Sequence, residues 1–589
     1  MNLTTQLKKS TSSCIYTLYG VNIPEDQVLV NATKPEIEGD YTIVLFAFVK
    51  QLSKSPDVLG NELGAAMLAN MPEVLTKFNI VKGFLNFTVS NDYWFNFINN
   101  THPNQLVPAT DHKQKIMVEY SSPNTNKPLH LGHLRNNFLG WSIAEILKVQ
   151  GHDVIKTCIV NDRGIHICKS MIAWQKFANG ATPADKHQKG DHFVGDYYVK
   201  YNDAYKAEVA ELVAGGMLQE VAEKEAPILK GAQEMLLKWE QGDAETVDLW
   251  KKMNNWVYEG FNVTYKKIGS DFLKTYYESD TYLLGKELVE EGLTKNVFFQ
   301  KEDGSVWIDL TNDGLDEKIV RRKDGTSVYI TQDIGLAQLK QKEFNTDASI
   351  YVVGDEQNYH FKVLKLICQK LQLPAADSIY HLSYGMVELP TGKMKSREGT
   401  VVDADDLVDE MITISKEKTE SLGKVSEFTQ NQLTELYNTI GLGALKFFLL
   451  RVDPKKKMIF NPEESIDFHG FTGPFIQYTH ARIKSILRKT GTSVSLTINE
   501  LMPLEKQLAI ELSIFPTIIN EAAENLDPSK IAIYAFNLAK LFNTFYSEHS
   551  IANADADIKK QLRIKIGILT AATLQKAMSC LGISVPEQM

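Results

Sequence analysis

The sequence predicts an α/β multidomain protein. A Rossmann-like parallel-sheet domain lies between an N-terminal α+β domain and a C-terminal all-α helical bundle. Three observations lead to this prediction. Residues 115–160 read as strand, helix and strand, and such a crossover joins parallel strands. A further strand, turn and helix follow from Val352 to Ile367. From about residue 406 onward, apolar residues recur at helical spacing.

The first crossover carries the most informative residues of the chain. Ile116 to Tyr120 is apolar and β-prone, and the polar turn Ser121 to Asn124 follows it. His130-Leu131-Gly132-His133 then opens a helix that Gly151 ends. Free N–H groups at a helix start bind anions, and residues three apart share one side of the first turn. A histidine pair alone is usually a surface or core feature, but in this context it predicts a polyphosphate site.

The bulk composition limits the classes of protein to consider. A chain of 589 residues is too long for one core, and we expect three or four domains. With 43% hydrophobic and 23% charged residues, the composition is typical of a globular protein. The net charge of −10 argues against a general polyanion binder, although a local basic surface remains compatible with RNA binding.

The cysteines and the N-terminus indicate the cell compartment. The five cysteines are scattered and form no C-x-x-C pair, so we expect a reducing, cytoplasmic setting and no cysteine-built zinc site. The N-terminus has no apolar signal core. The longest apolar run, near Ile43 to Val49, is too short to span a bilayer, so we expect no membrane partner.

Changes in pattern along the chain predict three domains. Residues 1–112 form the N-terminal domain, with helices over Tyr41 to Leu52 and Leu63 to Leu68 and a strand over Asn86 to Val89. Residues 113–405 form the parallel-sheet domain, interrupted by a charged helical insertion at about 178–252. Residues 406–589 are helical.

The C-terminal domain contains a locally basic stretch. From Gly441 to Thr490 there are nine Lys or Arg residues and four Asp or Glu residues, in a chain that is acidic overall. Tyr478, His480 and Arg482 alternate aromatic and cationic groups, a pattern that single-stranded RNA favours. A helix with an apolar stripe from Ile531 to Phe545 follows, and we interpret most of that stripe as core.

These motifs together resemble one enzyme family. Ser-Pro-Asn, then Lys127, then His130-Leu131-Gly132-His133 resembles the "HIGH" signature of class I aminoacyl-tRNA synthetases, and the form beginning at Glu119 resembles the arginyl-tRNA synthetases in particular. Gly443-Ala444-Leu445-Lys446 resembles the "DALR" motif of their anticodon-binding domain. The similarity extends over most of the chain. It implies activation of arginine by ATP to arginyl-adenylate, followed by transfer to the 3′ end of tRNA.

The resemblance also implies a pocket for arginine. A planar guanidinium is best met by carboxylates in fork geometry. The segments around residues 278 and 333 resemble the arginine-pocket segments of the family. They imply that Glu278 and Asp333 bind the guanidinium, with the Tyr329 ring beside it. The α-amino and carboxylate end is then expected to contact a second group: Asn124, Gln357 and, nearby, Glu119.

The lysine loop of the family is present in an altered form. Gly392 to Gly399 stands where class I enzymes have "KMSKS", and either Lys393 or Lys395 takes the place of the catalytic lysine. Lys127, ahead of the histidines, is expected to compensate for the altered loop. The implied catalytic set is therefore His130, His133, Lys127, Lys393 and Lys395. The residues implied to bind ATP are Gly132, His360, Met386, Val387 and Ser396.

The expected partners follow from the same resemblance. We expect arginine, ATP with Mg²⁺ carried by the nucleotide, the tRNA for arginine, no metal bound by the protein itself, and a monomer. Tyr478, His480 and Arg482 are the expected tRNA contacts. The N-terminal domain is expected to touch the tRNA elbow, although from its residues alone a docking or solubility domain is as good an interpretation.

Two alternatives remain open from the sequence. The first is a class I synthetase for cysteine or methionine, against which the Glu278 and Asp333 pair and the lack of a cysteine zinc site argue. The second is a synthetase-like RNA-binding protein that lost its chemistry with the altered lysine loop.

Overall fold

A computed structural model of the chain describes residues 3–34, 36–388, 402–421, 423, 428–494, 496, 500–554 and 556–589. The predicted lysines 393 and 395 and Ser396 lie outside the described residues. Among the described residues, no helix is both long and apolar enough to cross a membrane.

The N-terminal region is an α+β unit built on a four-stranded antiparallel sheet of order β1-β2-β4-β3. Its elements are α1 (Leu3–Tyr19), β1 (Val30–Ala32), β2 (Tyr41–Val44), α2 (Phe46–Leu52), α3 (Pro56–Asn70), β3 (Leu75–Val81), β4 (Phe84–Val89) and α4 (Asn91–Asn100). The predicted helix over Tyr41 to Leu52 is therefore wrong in its first half. Tyr41–Val44 is rich in β-favouring residues and pairs on both sides, with β1 and with β4.

The central region contains the predicted parallel sheet, which has five strands in the order β12-β11-β5-β6-β7. Its first half and the insertion comprise β5 (Lys115–Glu119), α5 (Leu131–Val149), β6 (Asp153–Val160), α6 (Ile165–Phe177), α7 (Gly190–Ala214), α8 (Gln219–Glu225), α9 (Pro227–Glu240), α10 (Ala244–Ile268) and β7 (Lys274–Tyr277). The helical insertion lies between β6 and β7, and its last helix extends to Ile268, beyond the predicted end.

The second half of the sheet domain also contains a small three-stranded antiparallel sheet of order β10-β9-β8. The elements are α11 (Glu278–Thr281), α12 (Lys286–Thr294), β8 (Phe299–Gln300), β9 (Val306–Ile308), β10 (Lys318–Arg321), α13 (Tyr329–Phe344), β11 (Ala348–Gly354), α14 (Asn358–Lys370), β12 (Ile379–Tyr384) and β13 (Val387–Glu388). The predicted strand, turn and helix from Val352 to Ile367 are confirmed as β11 and α14.

The C-terminal region is mainly helical, as predicted. Its elements are α15 (Ala404–Ser421), α16 (Gln430–Leu450), β14 (Met458–Ile459), α17 (Pro462–Ser465), α18 (Gly473–Thr490), α19 (Pro503–Ser513), α20 (Phe515–Glu524), α21 (Ser529–Glu548) and α22 (Asp557–Cys580). The apolar stripe of α21 is buried, including Ile531, Leu538 and Phe545. Short β14 pairs in parallel with β13, joining this region to the sheet domain.

Helix α5 packs against both the sheet and the C-terminal helices. On one side, a Cβ at Gly140 would lie only 2.3 Å from the Cβ of buried Tyr120, so the helix approaches the end of β5 very closely. On the other, Ser142 Oγ donates to Cys580 O at 2.7 Å. Buried Lys446 of α16 donates to Gly582 O at 2.7 Å and lies near the ring of Trp141, 5.8 Å from its centroid. Burial lowers the pKa of Lys446 to about 8.

The close packing at Gly140 predicts opposite effects for two glycine substitutions. Gly140→Ala should lower the midpoint of thermal unfolding, because overpacking a well-filled core costs about 1–3 kcal/mol. Gly231 of α9 is the matched control, because a Cβ there would meet Ile172 at an ordinary 3.5 Å. Gly231→Ala should raise the midpoint, since alanine is favoured over glycine in a helix by up to about 1 kcal/mol. Thermal unfolding followed by circular dichroism measures both, and a Gly140→Ala midpoint at or above that of the unmodified chain would contradict the packing.

Candidate active site

The predicted histidine pair forms the N-terminus of α5. His130 is the residue before the first helical turn, and its Nδ1 accepts a hydrogen bond from Gly132 N at 3.1 Å. His133 Nδ1 accepts from His130 N, also at 3.1 Å. The two rings lie with their centroids 3.9 Å apart. Each imidazole therefore satisfies a backbone N–H that the helix start would otherwise leave without a partner.

Burial and nearby charge determine the charge of both rings, and the hydrogen bonds determine which nitrogen carries the proton. Burial, and then the nearby positive charge of Lys127, lower the pKa of His130 to about 3. Burial, His130 and Lys127 hold the pKa of His133 well below its usual value. Both rings are neutral near pH 7. Because each Nδ1 accepts from the backbone, each Nε2 carries the proton and is a hydrogen-bond donor.

The turn before the helix is held in an unusual conformation. Ser121 follows β5 with φ of +62°, in the left-handed region that non-glycine residues rarely adopt. Its N–H donates to Asn136 Oδ1 at 2.6 Å, and its hydroxyl lies 2.7 Å from the Tyr265 hydroxyl. The Cys158 thiol donates to Ser121 O. Surrounding contacts therefore stabilise this strained residue where the chain leaves the sheet.

The residues after the histidine pair connect the site to the rest of the sheet. Asn136 Nδ2 donates to Val352 O of β11 at 2.7 Å and to the Tyr384 hydroxyl of β12 at 3.3 Å. This role and that of Arg135 were not predicted from the sequence. The available signal was three consecutive polar residues, Arg135-Asn136-Asn137, in a helix in which Ser142 is the one other buried polar residue.

Arg135 is 1% exposed and anchors one side of the segment that carries the predicted lysine loop. Its guanidinium donates to Met386 O at 3.3 Å, Pro454 O at 3.2 Å and Lys456 O at 2.8 Å. Burial lowers the pKa of Arg135 to about 10, so it remains charged at neutral pH. Of the two predicted ATP contacts on this side, the Met386 side chain is exposed and that of Val387 is buried.

The other side of the same segment is attached directly to the histidine motif. Leu131 N donates to Val402 O at 3.1 Å, and Ala404 N donates to Leu129 O at 3.0 Å. His130 also forms an isolated antiparallel bridge with Asp403. Met386 and Val402, on the two sides of the undescribed segment, are thus both hydrogen-bonded to residues in the first turns of α5.

The structure brings the predicted acidic pair to the same sheet edge. Glu278 directly follows β7, and Asp333 lies one turn into α13 after the 73% exposed Tyr329. Burial raises the pKa of Glu278 to about 7; Arg163 opposes this shift, and the charges of Asp162 and Asp333 add to it. Asp333 Oδ2 lies 2.6 Å from His360 Nε2. The predicted guanidinium ligand and one predicted ATP contact are therefore direct neighbours.

The three residues expected at the α-amino and carboxylate end have different surroundings. Asn124 is exposed at the turn and pairs with Asn161 next to the end of β6. Gln357 is exposed in the turn after β11. Glu119 is buried, forms a salt bridge with buried Lys340 of α13 and accepts a hydrogen bond from Thr157 at 3.4 Å. The Glu119–Lys340 pair was not predicted from the sequence, because its two partners are far apart in the chain.

A polar cluster joins the helical insertion to the start of α15. Lys189 Nζ lies 2.9 Å from Asp191 Oδ2 and 2.5 Å from Asp405 Oδ2. His192 Nε2 lies 3.2 Å from Asp403 Oδ2 and 3.3 Å from Asp405 Oδ2. Asp191, His192 and Asp405 form the one group of three possible metal ligands among the described residues. The ammonium of Lys189 contacts both carboxylates and offsets one of their two negative charges.

The three predicted tRNA contacts lie on α18 and differ in exposure. The Arg482 guanidinium is 4.8 Å from the Tyr478 ring centroid and donates to Asn543 Oδ1 at 2.6 Å, and both side chains are half-buried. His480 is only 1% exposed, and its Nδ1 lies 3.0 Å from Pro586 O. The burial of His480 is therefore inconsistent with a direct contact between this residue and tRNA. His480 is two positions after Tyr478 in α18, and residues at this spacing lie on different faces of a helix.

The arrangement can bind an extended polyphosphate next to a guanidinium. Two neutral Nε2–H donors, the helix N-terminus and Lys127 are groups that suit an anion. The carboxylates of Glu278, after β7, and Asp333, in α13, are groups that suit a cation. Ligands of open parallel sheets bind at this carboxyl edge of the strands.

Comparison with known proteins agrees with this geometry. The family model described as "tRNA synthetases class I (R), catalytic domain" matches residues 98–461. The "DALR anticodon binding domain" model matches residues 476–589, and the "Arginyl tRNA synthetase N terminal domain" model matches residues 1–89.

Full-length relatives belong to the same family, and a solved structure has a similar fold. The chain is 51% identical to the arginine–tRNA ligase of Flavobacterium psychrophilum over 605 aligned residues and 50% identical to that of Bacteroides fragilis over 599, covering 100% of every chain. Its fold is similar to that of Thermus thermophilus arginyl-tRNA synthetase, with a TM-score of 0.81 at 24% identity over 100% of both chains. With one family model spanning more than half of its length and full-length relatives at this identity, the chain belongs to the arginyl-tRNA synthetase family of class I synthetases.

Proposed function

We propose that this chain is an arginine–tRNA ligase that forms arginyl-adenylate from arginine and ATP and transfers the arginyl group to its tRNA. The observation that carries the proposal is that one parallel sheet positions both groups: the neutral His130 and His133 rings follow β5, and the acidic Glu278, which follows β7, lies within electrostatic range of Asp333. The substrates require such a combination, because one is a polyphosphate and the other a guanidinium.

The reaction has two steps and no covalent enzyme intermediate. An oxygen of the arginine carboxylate attacks the α-phosphorus of ATP, and the bond to pyrophosphate breaks. A ribose hydroxyl at the 3′ end of tRNA then attacks the arginyl carbonyl, loses its proton, and AMP leaves. Catalysis rests on positioning and charge stabilisation. Mg²⁺, which the nucleotide carries, supplies further neutralisation of phosphate charge.

The histidines and Lys127 act on the phosphates in this proposal. The Nε2–H groups of His130 and His133 donate to phosphate oxygens, and their neutrality means that they orient the substrate rather than exchange protons. Lys127 supplies the positive charge; its nearness to both rings is evident from its effect on their pKa values. Lys393 or Lys395 supplies a second cation as pyrophosphate leaves.

The remaining nucleotide contacts are Gly132, His360, Met386, Val387 and Ser396. A Cβ at position 132 would lie 3.0 Å from His130 Cε1, so glycine keeps the ring in place there. His360 reaches the nucleotide from its position beside Asp333, which would couple the nucleotide pocket to the arginine pocket.

Arginine binds with its guanidinium between Glu278 and Asp333 and with the Tyr329 ring beside it. Asn124 and Gln357 bind the α-amino and carboxylate end, and their exposure at neighbouring strand ends supports this role. Glu119 lies near this end of arginine and acts on it indirectly, since its carboxylate forms a salt bridge with Lys340.

The tRNA contacts both terminal regions in this proposal. Tyr478 and Arg482 form part of the anticodon-binding surface, and the N-terminal domain touches the elbow. The tRNA for arginine, arginine and ATP are the proposed partners of a cytoplasmic monomer. The five free, buried cysteines support a reducing setting.

ATP–pyrophosphate exchange with arginine and tRNA present tests the proposed activity. Exchange that depends on arginine, followed by charging of tRNA, is expected. A chain that binds tRNA but gives no exchange would instead be the non-catalytic RNA-binding protein.

Removing either carboxylate of the arginine pocket should weaken arginine use. Glu278→Gln and Asp333→Asn should each raise the arginine KM strongly while nearly preserving ATP binding, because losing one partner of a desolvated charge pair costs about 2–5 kcal/mol. Asp280→Asn, a change at an exposed acid two residues from Glu278, is the matched control and should leave KM unchanged. Steady-state charging kinetics measure all three, and unchanged arginine KM in both pocket variants would place the pocket elsewhere.

The raised pKa of Glu278 predicts a pH dependence. The carboxylate must be ionised to bind a guanidinium, and its pKa in the free protein is about 7. Protonation increases as pH falls, so kcat/KM for arginine should decline below about pH 7 with an approach to tenfold per pH unit. The profile between about pH 6 and about pH 8.5 measures this ionisation. Glu278→Gln should remove it; a profile that keeps the same ionisation in this variant would assign it to another group.

Lys127 should matter more for chemistry than for ATP binding. If its charge acts as pyrophosphate leaves, the interaction strengthens in the transition state, so its loss lowers kcat more than it raises KM. Lys127→Ala should slow adenylate formation by about two to three orders of magnitude, with a small change in ATP KM. Lys186→Ala, at an exposed position, is the control. The rate of adenylate formation, measured before the steady state with tRNA present, tests this prediction. If Lys127→Ala forms adenylate at the unmodified rate while Lys393→Ala or Lys395→Ala is inactive, the loop lysine alone stabilises the leaving pyrophosphate.

A further inference from the structure

A second cavity lies at the opposite end of α5 from the active site. It has a volume of about 630 Å³ and is lined by the linker after α4, by Val149 at the end of α5, and by α18 and α22. Helix α5 has 19 residues, which at 1.5 Å per residue separates His133 and His130 from Val149 by about 24 and about 28 Å. The cavity is therefore distinct from the arginine and ATP pockets.

The charges that line this cavity favour an anion. Lys484 of α18 and Lys576 of α22 both line it, and among the described residues no aspartate or glutamate lines it. Lys484 pairs with Glu587 at 3.1 Å. Lys576 makes no ion pair and no side-chain hydrogen bond within the described part of the chain. Lys576 thus offers a positive charge that the protein itself does not neutralise.

The remaining walls combine polar and apolar groups. His480 lines the cavity, and its Nε2 is a buried atom without a hydrogen-bond partner among the described residues. Pro586 O can only accept, so Nδ1 carries the proton and Nε2 offers a lone pair. Leu106, Leu487 and Ile568 form an apolar wall. The volume and the mixture of an apolar wall with a few polar groups are typical of small-molecule sites.

We propose that this cavity binds a small organic phosphate, with the phosphate on Lys576 and Lys484 and an apolar or planar body against Leu487 and Ile568. The cavity lies at the other end of α5 from the histidine pair, so the site is additional to the active site.

Affinity labelling with pyridoxal 5′-phosphate tests the site, because this probe joins a phosphate to a planar ring. Its aldehyde condenses with an unprotonated lysine amine and releases water, and borohydride then reduces the imine to a stable secondary amine. Peptide mapping should find Lys576 labelled at least about tenfold more than Lys560, a lysine on the same helix outside the cavity. Ribose 5-phosphate should protect Lys576, and ribose should not.

A filling variant provides an independent check. Ala572→Leu inserts a side chain into the cavity wall without changing the charge. It should reduce the labelling of Lys576 to the level of Lys560 while tRNA charging proceeds at the unmodified rate, which shows that the chain is folded. Equal labelling of Lys576 and Lys560 in the unmodified chain, or equal protection by ribose and ribose 5-phosphate, overturns the proposal. Protection by tRNA but not by ribose 5-phosphate also overturns it and assigns Lys576 to an RNA surface.

Discussion

Burying Arg135 and Asn136 in the first turns of α5 is the constraint on which the active site depends. A buried guanidinium or amide is destabilising unless its donors and acceptors are all paired. The backbone partners are Ser121 just after β5, Val352 in β11, and Met386 and Lys456 just before β13 and β14; the Tyr384 hydroxyl is a further partner of Asn136. The helix therefore cannot shift without leaving polar atoms unpaired, and the strand ends that carry the proposed substrate-binding residues are held in one fixed relation.

The same helix is also part of the core shared with the C-terminal region. Its N-terminal end holds the histidine pair, whereas Ser142 near its middle contacts Cys580 and Gln150 at its end contacts Asn520 of α20. Motion of the anticodon-binding helices against the sheet would strain contacts along α5 itself. Communication between the two ends of the enzyme therefore needs no separate relay, because one rigid element contacts both.

Local pattern predicted much of this fold, since the main strands and helices have clear periodicity and clear stop signals. Most of the site residues were instead implied by the resemblance to the family, and their roles stay predictions. The family match also removes the cysteine and methionine alternatives. Tyr41–Val44 was assigned wrongly because one of its two pairing partners, β4, lies far along the chain, and pairing outweighs local pattern. The Glu119–Lys340 pair and the burial of His480 could not be predicted from the sequence for the same reason. Both depend on which distant segments of the chain pack together. The altered lysine loop lies outside the described residues, so the roles of its lysines remain predictions.

The contact between Lys446 and Gly582 O has a consequence for the order in which the chain is made. A ribosome synthesises the ammonium of Lys446 well before its acceptor, which lies 136 residues further on. Until residues 580–582 emerge, the nascent chain would have to bury this cation without a partner or leave α16 undocked. The hydrogen bond from the Ser142 hydroxyl likewise cannot form until Cys580 has been synthesised. The catalytic half can therefore reach its final packing only near the end of translation, which delays a competent active site until the tRNA-binding helices exist.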